Sequence, residues 1–291
     1  MSGKTVGIVG LGLIGGSLAK GLRARAGCRV LGLDIDPQVM EAAQADGGID
    51  GPLEDYNQLD LLIVALFPEA TVAHIRQVVA KLRPGAVVMD ICGVKKSVAD
   101  GVAQLCKSHG VEFLGAHPMA GKACWGYQNA DGNLFEGASM ILTPVFTDDW
   151  AVQMVQGLCQ QLGFARVVFT DPQSHDKMIG YTSQLAHILS SAYIKNPLCM
   201  NYKGYTGGSF QDLTRVARLN PVMWSELFLL NRQNLLEDLD LLIQSLSEYR
   251  RAIADGDGAQ LEALLADGTR IKEELMRTQP EAAREMKQVQ R

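Results

Sequence analysis

The sequence predicts a two-part α/β fold: an N-terminal Rossmann-type doubly wound sheet followed by an all-α C-terminal dimerisation domain. Three observations predict it. Short apolar, β-branched runs alternate with helix-length amphipathic stretches up to about Pro172, the pattern of parallel strands joined by crossover helices. A glycine triplet, Gly10, Gly12 and Gly15, directly follows the first apolar run. Beyond Asp171 the alternation stops, and only long helical periodicities continue. The expected division is therefore a Rossmann-type domain over 1–172 and a helical domain over 173–291.

Seven strands are expected, at 5–9, 29–33, 59–65, 86–90, 112–116, 139–143 and 166–169. The first helix follows the glycine turn over 17–25, and Arg83-Pro84-Gly85 ends the helix that precedes the fourth strand. In the second half, helices are expected over 174–194, 221–253 and 259–278. The middle one carries Trp224, Phe228, Leu235, Leu242 and Leu246 among other apolar residues, more than one packed face needs. Two explanations fit: a homodimer interface, or a helix buried within its own domain. Glycine-containing loops over 203–209 and 255–258 interrupt this half, and the charged stretch 281–291 is assigned no function.

Length and composition bound the partners. A chain of 291 residues accommodates two domains, and 47% hydrophobic with 20% charged residues is ordinary for a globular protein. A net charge of -5 argues against nucleic acid, which calls for a clustered basic face. No apolar run approaches the ~20 residues that span a bilayer, and the N-terminus enters a strand without a signal-like segment, so no membrane partner and a cytoplasmic location are expected. The six cysteines lack CxxC spacing, so they are read as reduced thiols and no metal site is expected.

The glycine turn carries the cofactor expectation. Gly10 permits the tight turn, Gly12 lets backbone approach a pyrophosphate and Gly15 lets the helix pack on the strand, with Leu11, Leu13 and Ile14 supplying the rest of the turn. The phosphates then meet a helix N-terminus, whose free N–H groups and dipole favour an anion. The second strand ends at Asp34, a carboxylate placed to accept ribose hydroxyls and to repel a 2′-phosphate, which selects NAD over NADP. The alternative is that Asp34 caps the next turn. Arg23 and Arg25 precede Asp34 on the first helix and offer no phosphate clamp.

In such sheets the ligand lies at the carboxyl ends of the strands. After the third strand comes Leu66-Phe67-Pro68, an apolar loop suited to border a nicotinamide, and after the fourth comes Ile91-Cys92-Gly93-Val94-Lys95. After the fifth comes His117, one of five histidines. A strand-end histidine beside a nicotinamide is a natural acceptor for the hydroxyl proton lost when a hydride leaves the same carbon. Position alone fits equally a loop histidine bonded to backbone.

The order GLGLIGGS, DICGVK, GAHPMAGK, LFEGASMILTP and GGSFQDLTRVARLNPVMW resembles the prephenate and arogenate dehydrogenases of tyrosine biosynthesis, from about Lys4 to the helix after Trp224. The resemblance implies NAD-dependent oxidative decarboxylation of prephenate to 4-hydroxyphenylpyruvate, with arogenate as the alternative substrate. It implies that His117 accepts a hydrogen bond from the C4 hydroxyl, that Arg215 pairs with a substrate carboxylate and that His187 lies near the substrate side chain. A guanidinium suits a dicarboxylate because it binds in bidentate fashion. From the residues alone, Arg215 fits equally a surface pair with Asp212, and His187 a hydrogen-bonded core histidine.

The sequence departs from the family at three places. Gly93 stands where many members carry a serine that reaches substrate hydroxyl and cofactor; Gln184 stands where others carry a further histidine; Ala123 stands where many carry an acid. Gly93 and Gln184 are retained as substrate-binding candidates, and Ala123 beside Lys122 favours prephenate over arogenate. No fused chorismate mutase is expected before Lys4 and no ACT domain after the helices, so any feedback inhibition is expected at the active site. Two competing readings are a non-catalytic NAD-binding regulator, suggested by Gly93 and Gln184, and a β-hydroxyacid or imine reductase, which would need a catalytic lysine or acid in the helical half.

Overall fold

The computed structural model describes residues 3–122, 124–205 and 207–278. β1 (Thr5–Val9) is a buried apolar run that leads through the glycine turn into α1 (Leu13–Ala26). β2 (Arg29–Leu33), α2 (Pro37–Ala45) and the short β3 (Gly51–Pro52) follow. β4 (Leu61–Val64), α3 (Pro68–Val78), β5 (Val87–Asp90) and α4 (Lys96–Ser108) continue the alternation to β6 (Glu112–Pro118). β7 (Ser139–Pro144), α5 (Asp149–Gln161) and β8 (Arg166–Phe169) complete the sheet.

The strand order is β3-β2-β1-β4-β5-β6-β7-β8. β1, β2, β4, β5 and β6 run parallel, with Val9 opposite both Leu33 and Val64, Val64 opposite Asp90 and Asp90 opposite Gly115. Their carboxyl ends therefore share one edge. The order reverses between β1 and β4, the switch point where such sheets open a crevice for ligand. One face packs under α1 and α5 through Leu18, Leu22, Val155 and Leu158; the other packs under α3 and α4 through Ile75, Val98, Val102 and Cys106. Each such fully buried aliphatic side chain contributes about 1.5–3 kcal/mol.

Several expectations need correction. β7 pairs antiparallel to β6, with His117 opposite Ile141, because the segment between them forms no crossover helix and simply reverses the chain. Its Tyr127 is buried and donates its hydroxyl to Asp46 at 2.6 Å. The first helix begins at Leu13, four residues before its expected start at Ser17. β3, only two residues long, has no alternation to reveal it.

The helical region is also more broken than its periodicity. The stretch 174–194 divides into α6 (Pro172–Ile179), a π-helical turn (Gly180–Gln184) and α7 (Leu185–Tyr193). α8 (Gly208–Thr214) follows, and 221–253 divides at Asn231 into α9 (Pro221–Leu230) and α10 (Arg232–Asp255). Asn231 is 3% exposed and spends its amide on other elements, so the helix stops there. α11 is Gly258–Thr278.

By compactness the chain forms two units, 1–235 and 236–291. In the second, Tyr249 donates its hydroxyl to the Leu264 carbonyl at 3.2 Å, tying its two helical segments together. Leu241, Ile243, Leu246 and Ile253 are exposed in this single chain, so burial within its own domain does not account for them. Among the described residues, no helix is long and apolar enough to cross a membrane. The stretch 281–291 lies outside the described residues.

Candidate active site

The glycine turn is assembled as its spacing predicts. Gly10 has φ +87°, a left-handed backbone that a side chain strains, and an added Cβ at Gly15 would collide with the Gly10 carbonyl oxygen. Gly12 is the N-cap of α1 and has no capping side chain; an added Cβ there meets nothing within 4 Å. The first turn of α1 around Leu13 and Ile14 thus carries backbone N–H groups without a capping side chain, the donor set an anionic pyrophosphate needs. Leu11 is buried, while Leu13 and Ile14 are half-buried.

Asp34 is tied into the local backbone. Its Oδ2 accepts from the Leu11 N–H at 2.7 Å and its Oδ1 from the Asp36 N–H at 3.0 Å, which fixes the glycine turn to the end of β2. Each carboxylate oxygen keeps a further lone pair for a ribose hydroxyl. Arg23 is held by Asp50 and the Gly47 carbonyl, and Arg25 by Asn133 and Glu136, so neither is free to clamp a 2′-phosphate. These residues fit an NAD-type dinucleotide.

The β4 and β5 loops border the same edge. Leu66 is half-buried against Gly10, and Pro68 is buried as the first residue of α3. The Leu66 carbonyl and Thr71 hydroxyl lie 3.5 and 3.3 Å from the Cys92 sulfur. Burial pushes that thiol far above its ordinary range, so Cys92 is a structural residue. Gly93 faces Leu227, whose methyls would lie 3.4 and 3.5 Å from an added Cβ. Leu227 of α9 therefore covers the position that a serine side chain would occupy.

At the end of β6 the structure builds a network that periodicity does not reveal. His117 Nδ1 lies 2.9 Å from His175 Nε2, and His175 Nδ1 lies 2.7 Å from Asp176 Oδ1. Asp176 also accepts the Lys95 N–H at 2.7 Å and the Lys96 N–H at 2.9 Å, capping α4 from the opposite half of the sequence. The Lys95 ammonium is fully buried, paired with Asp90 and bonded to the Ala116 carbonyl at 2.6 Å. Burial, His175 and the Lys95 charge, in that order, hold the His117 imidazole well below the usual histidine range. The His117 ring is therefore neutral at physiological pH. The residue as a whole is half-buried.

The helical candidates occupy two separate settings. Gln184, in the π-helical turn, is 1% exposed; its Oε1 accepts from Asn231 at 2.7 Å while its Nε2 has no partner. His187 stacks on Trp224 with ring centroids 4.0 Å apart, and its Nδ1 donates to the Ser183 carbonyl at 2.8 Å. Its other ring nitrogen remains an acceptor. Burial and the nearby Arg215 charge lower its pKa, while the bond to Ser183 raises it. Arg215 itself is exposed and, among the described residues, forms no ion pair, including with Asp212. Arg218 lies 4.8 Å over the Trp125 ring, bringing the segment after α8 beside the loop after β6. Ala123 and Thr206 lie outside the described residues.

His175, Asp176, Lys95, Asp90, Trp224 and Asn231 were missed as site residues. One signal was available: His175 and Asp176 are adjacent, and histidines are scarce in this chain.

Residues 18–169 match the family described as "Prephenate dehydrogenase, nucleotide-binding domain", and residues 171–267 match "Prephenate dehydrogenase, dimerization domain". The chain is 31% identical over 283 residues to a prephenate dehydrogenase of Lactococcus lactis, covering 93% of this chain and 77% of that protein. A crystal structure of prephenate dehydrogenase from A. aeolicus in complex with hydroxyphenyl propionate and NAD+ superposes with a TM-score of 0.82 at 28% identity, covering 94% of this chain and 99% of that one. The arogenate dehydrogenase of Synechocystis gives 0.77 at 26% identity, over 93% and 99%. The two family models together span residues 18–267, the His117 strand and the helices included, and the chain belongs to the prephenate dehydrogenase family.

Proposed function

We propose that the chain catalyses the NAD-dependent oxidative decarboxylation of prephenate to 4-hydroxyphenylpyruvate in tyrosine biosynthesis. The observation that carries this reading is His117: a neutral imidazole on a half-buried residue at the carboxyl end of β6, on the sheet edge that also bears the glycine turn. Gly10, Gly12, Gly15 and the backbone of Leu11, Leu13 and Ile14 would hold the pyrophosphate, Asp34 the adenosine ribose, and Leu66 and Pro68 would border the nicotinamide. Bound NAD supplies the hydride acceptor.

The protein's own contribution is orientation and proton placement. His117 takes the C4 hydroxyl proton as the hydride leaves that carbon, which gives the C4 oxygen carbonyl character; loss of CO2 from C1 sends the C1–carboxylate electron pair through the ring onto that oxygen, which ends as the phenol hydroxyl of an aromatic ring. Arg215, exposed and without a carboxylate partner among the described residues, is available to a substrate carboxylate. His187 and Trp224 form a stacked wall for the substrate side chain, and the unpaired Nε2 of Gln184 is a buried donor that a ligand oxygen would satisfy. Gly93 lies on the edge between β5 and α9 and contributes backbone.

The dimerization-domain match over 171–267 and the exposed apolar side chains of α10 support a homodimer formed through the C-terminal helices. The boundary at 172/173, with sheet before it and helices after, goes with the same reading. Six free cysteines suit a reducing, cytoplasmic compartment. The deciding experiment is a side-by-side assay of prephenate and arogenate with NAD and with NADP. Prephenate with NAD is expected to give NADH and 4-hydroxyphenylpyruvate; turnover of arogenate alone would overturn the substrate assignment.

A further inference from the structure

We infer that His175 and Asp176 are positioning residues that fix the tautomer of His117, keeping its proton on Nδ1 and leaving Nε2 as the bare acceptor for the substrate hydroxyl. The inference rests on His117 being the base and adds what prepares it.

The argument is one of donor and acceptor accounting. Asp176 accepts two backbone N–H groups, one on each carboxylate oxygen, so both oxygens serve as acceptors. The 2.7 Å contact between Asp176 Oδ1 and His175 Nδ1 therefore requires a proton on His175 Nδ1. A neutral imidazole carries one proton, so His175 Nε2 is an acceptor, and His117 Nδ1, 2.9 Å away, must be the donor. A neutral His117 protonated at Nδ1 has its lone pair on Nε2.

The competing arrangement is a doubly protonated His175 donating to His117, which would put Nε2–H, not a lone pair, towards the substrate. His175 is 2% exposed, and its surroundings already hold the buried Lys95 ammonium. That arrangement would leave the His117 proton on Nε2, which is the outcome ring-nitrogen chemical shifts would report. The groups facing the two rings are Lys95, with its partner Asp90, and Asp176.

In the reaction the substrate O–H bond breaks and an Nε2–H bond forms on His117, while the hydride from the same carbon goes to the cofactor. The imidazolium that results keeps donating from Nδ1 to His175, whose ring is oriented by Asp176. The acceptor is thus in place before the positive charge appears. Separation in sequence hides this arrangement: His117 and His175 are 58 positions apart, and Lys95 and Asp176 are 81 apart.

The test has two parts. Ring-nitrogen chemical shifts in the isotope-labelled full chain without substrate, assigned with His117→Ala, report the tautomer directly. A protonated Nδ1 and a bare Nε2 on His117 at neutral pH are expected; an Nε2–H form would overturn the inference. In turnover, His175→Leu is expected to lower kcat by about 10- to 100-fold with KM little changed. His175→Gln, whose amide oxygen supplies an acceptor at the same reach, should restore most of it. Equal losses in both variants, tracking a lowered Tm, would mean a merely structural role and overturn the proposal. If His117 is not the base, His117→Ala keeps its turnover while the tautomer stays as inferred, so the two failures are distinguishable.

Discussion

At the β1 end of the sheet's carboxyl edge the working groups are backbone; at the β6 end they are buried side chains. The glycine turn offers N–H groups over an open N-cap, with Asp34 as its one charge. The β6 end places Lys95, Asp90, His175 and Asp176 at near-complete burial around His117. In the proposed function the first end holds an anion and needs close approach, which glycine provides. The second would move a proton and needs a fixed electrostatic setting, which only buried and mutually paired charges provide.

That contrast sets separate expectations for the two ends. Lys95→Met removes one partner of a fully buried ion pair and leaves Asp90 uncompensated, so unfolding in urea should show a loss of about 3–5 kcal/mol. Adding Asp90→Leu should recover part of it. A single variant as stable as the parent would mean the charged end is not held by this pair. At the backbone end, Asp34→Ala removes a charged acceptor from ribose and turn alike. Calorimetry should show NAD affinity weakened by about 1.5 kcal/mol, close to tenfold, with discrimination against NADP reduced. Unchanged affinity would confine Asp34 to capping.

The pH dependence sharpens the same division. The folded pKa of His117 is depressed, so the base form persists below the usual histidine value of about 6.5, and the acid limb of kcat/KM should fall below that value. An acid limb above about 6.5 would contradict the account of the buried charges. For stability the sign is the same: below about 6.5 the unfolded chain binds protons that the native His117, His187 and His74 resist, so stability declines as pH falls through that window. A change at Asp34 should leave both profiles in place.

The two ends also differ in how far the sequence reveals them. The glycine turn depends on neighbours within one strand-turn-helix, so its spacing is legible, as are strands such as β1 and β2 whose apolar runs are contiguous. His117 is visible because it ends a strand. Its setting is not, because His175 and Asp176 lie on a helix in the other half and reach it through side chains. The π-helical turn before Leu185 and the break at Asn231 escape for a related reason: both fall inside continuous helical periodicity, and Asn231 stops its helix by bonding to the Asp176 carbonyl and Gln184. The antiparallel β7 escapes because strand polarity depends on the connection, not on the strand.

The central claim is that His117 is the base in an otherwise preassembled NAD site, and the most direct test is His117→Ala with kcat and the NAD dissociation constant measured together. The account predicts that kcat falls by about 10²- to 10⁴-fold while the NAD dissociation constant stays unchanged. An undiminished kcat would contradict it.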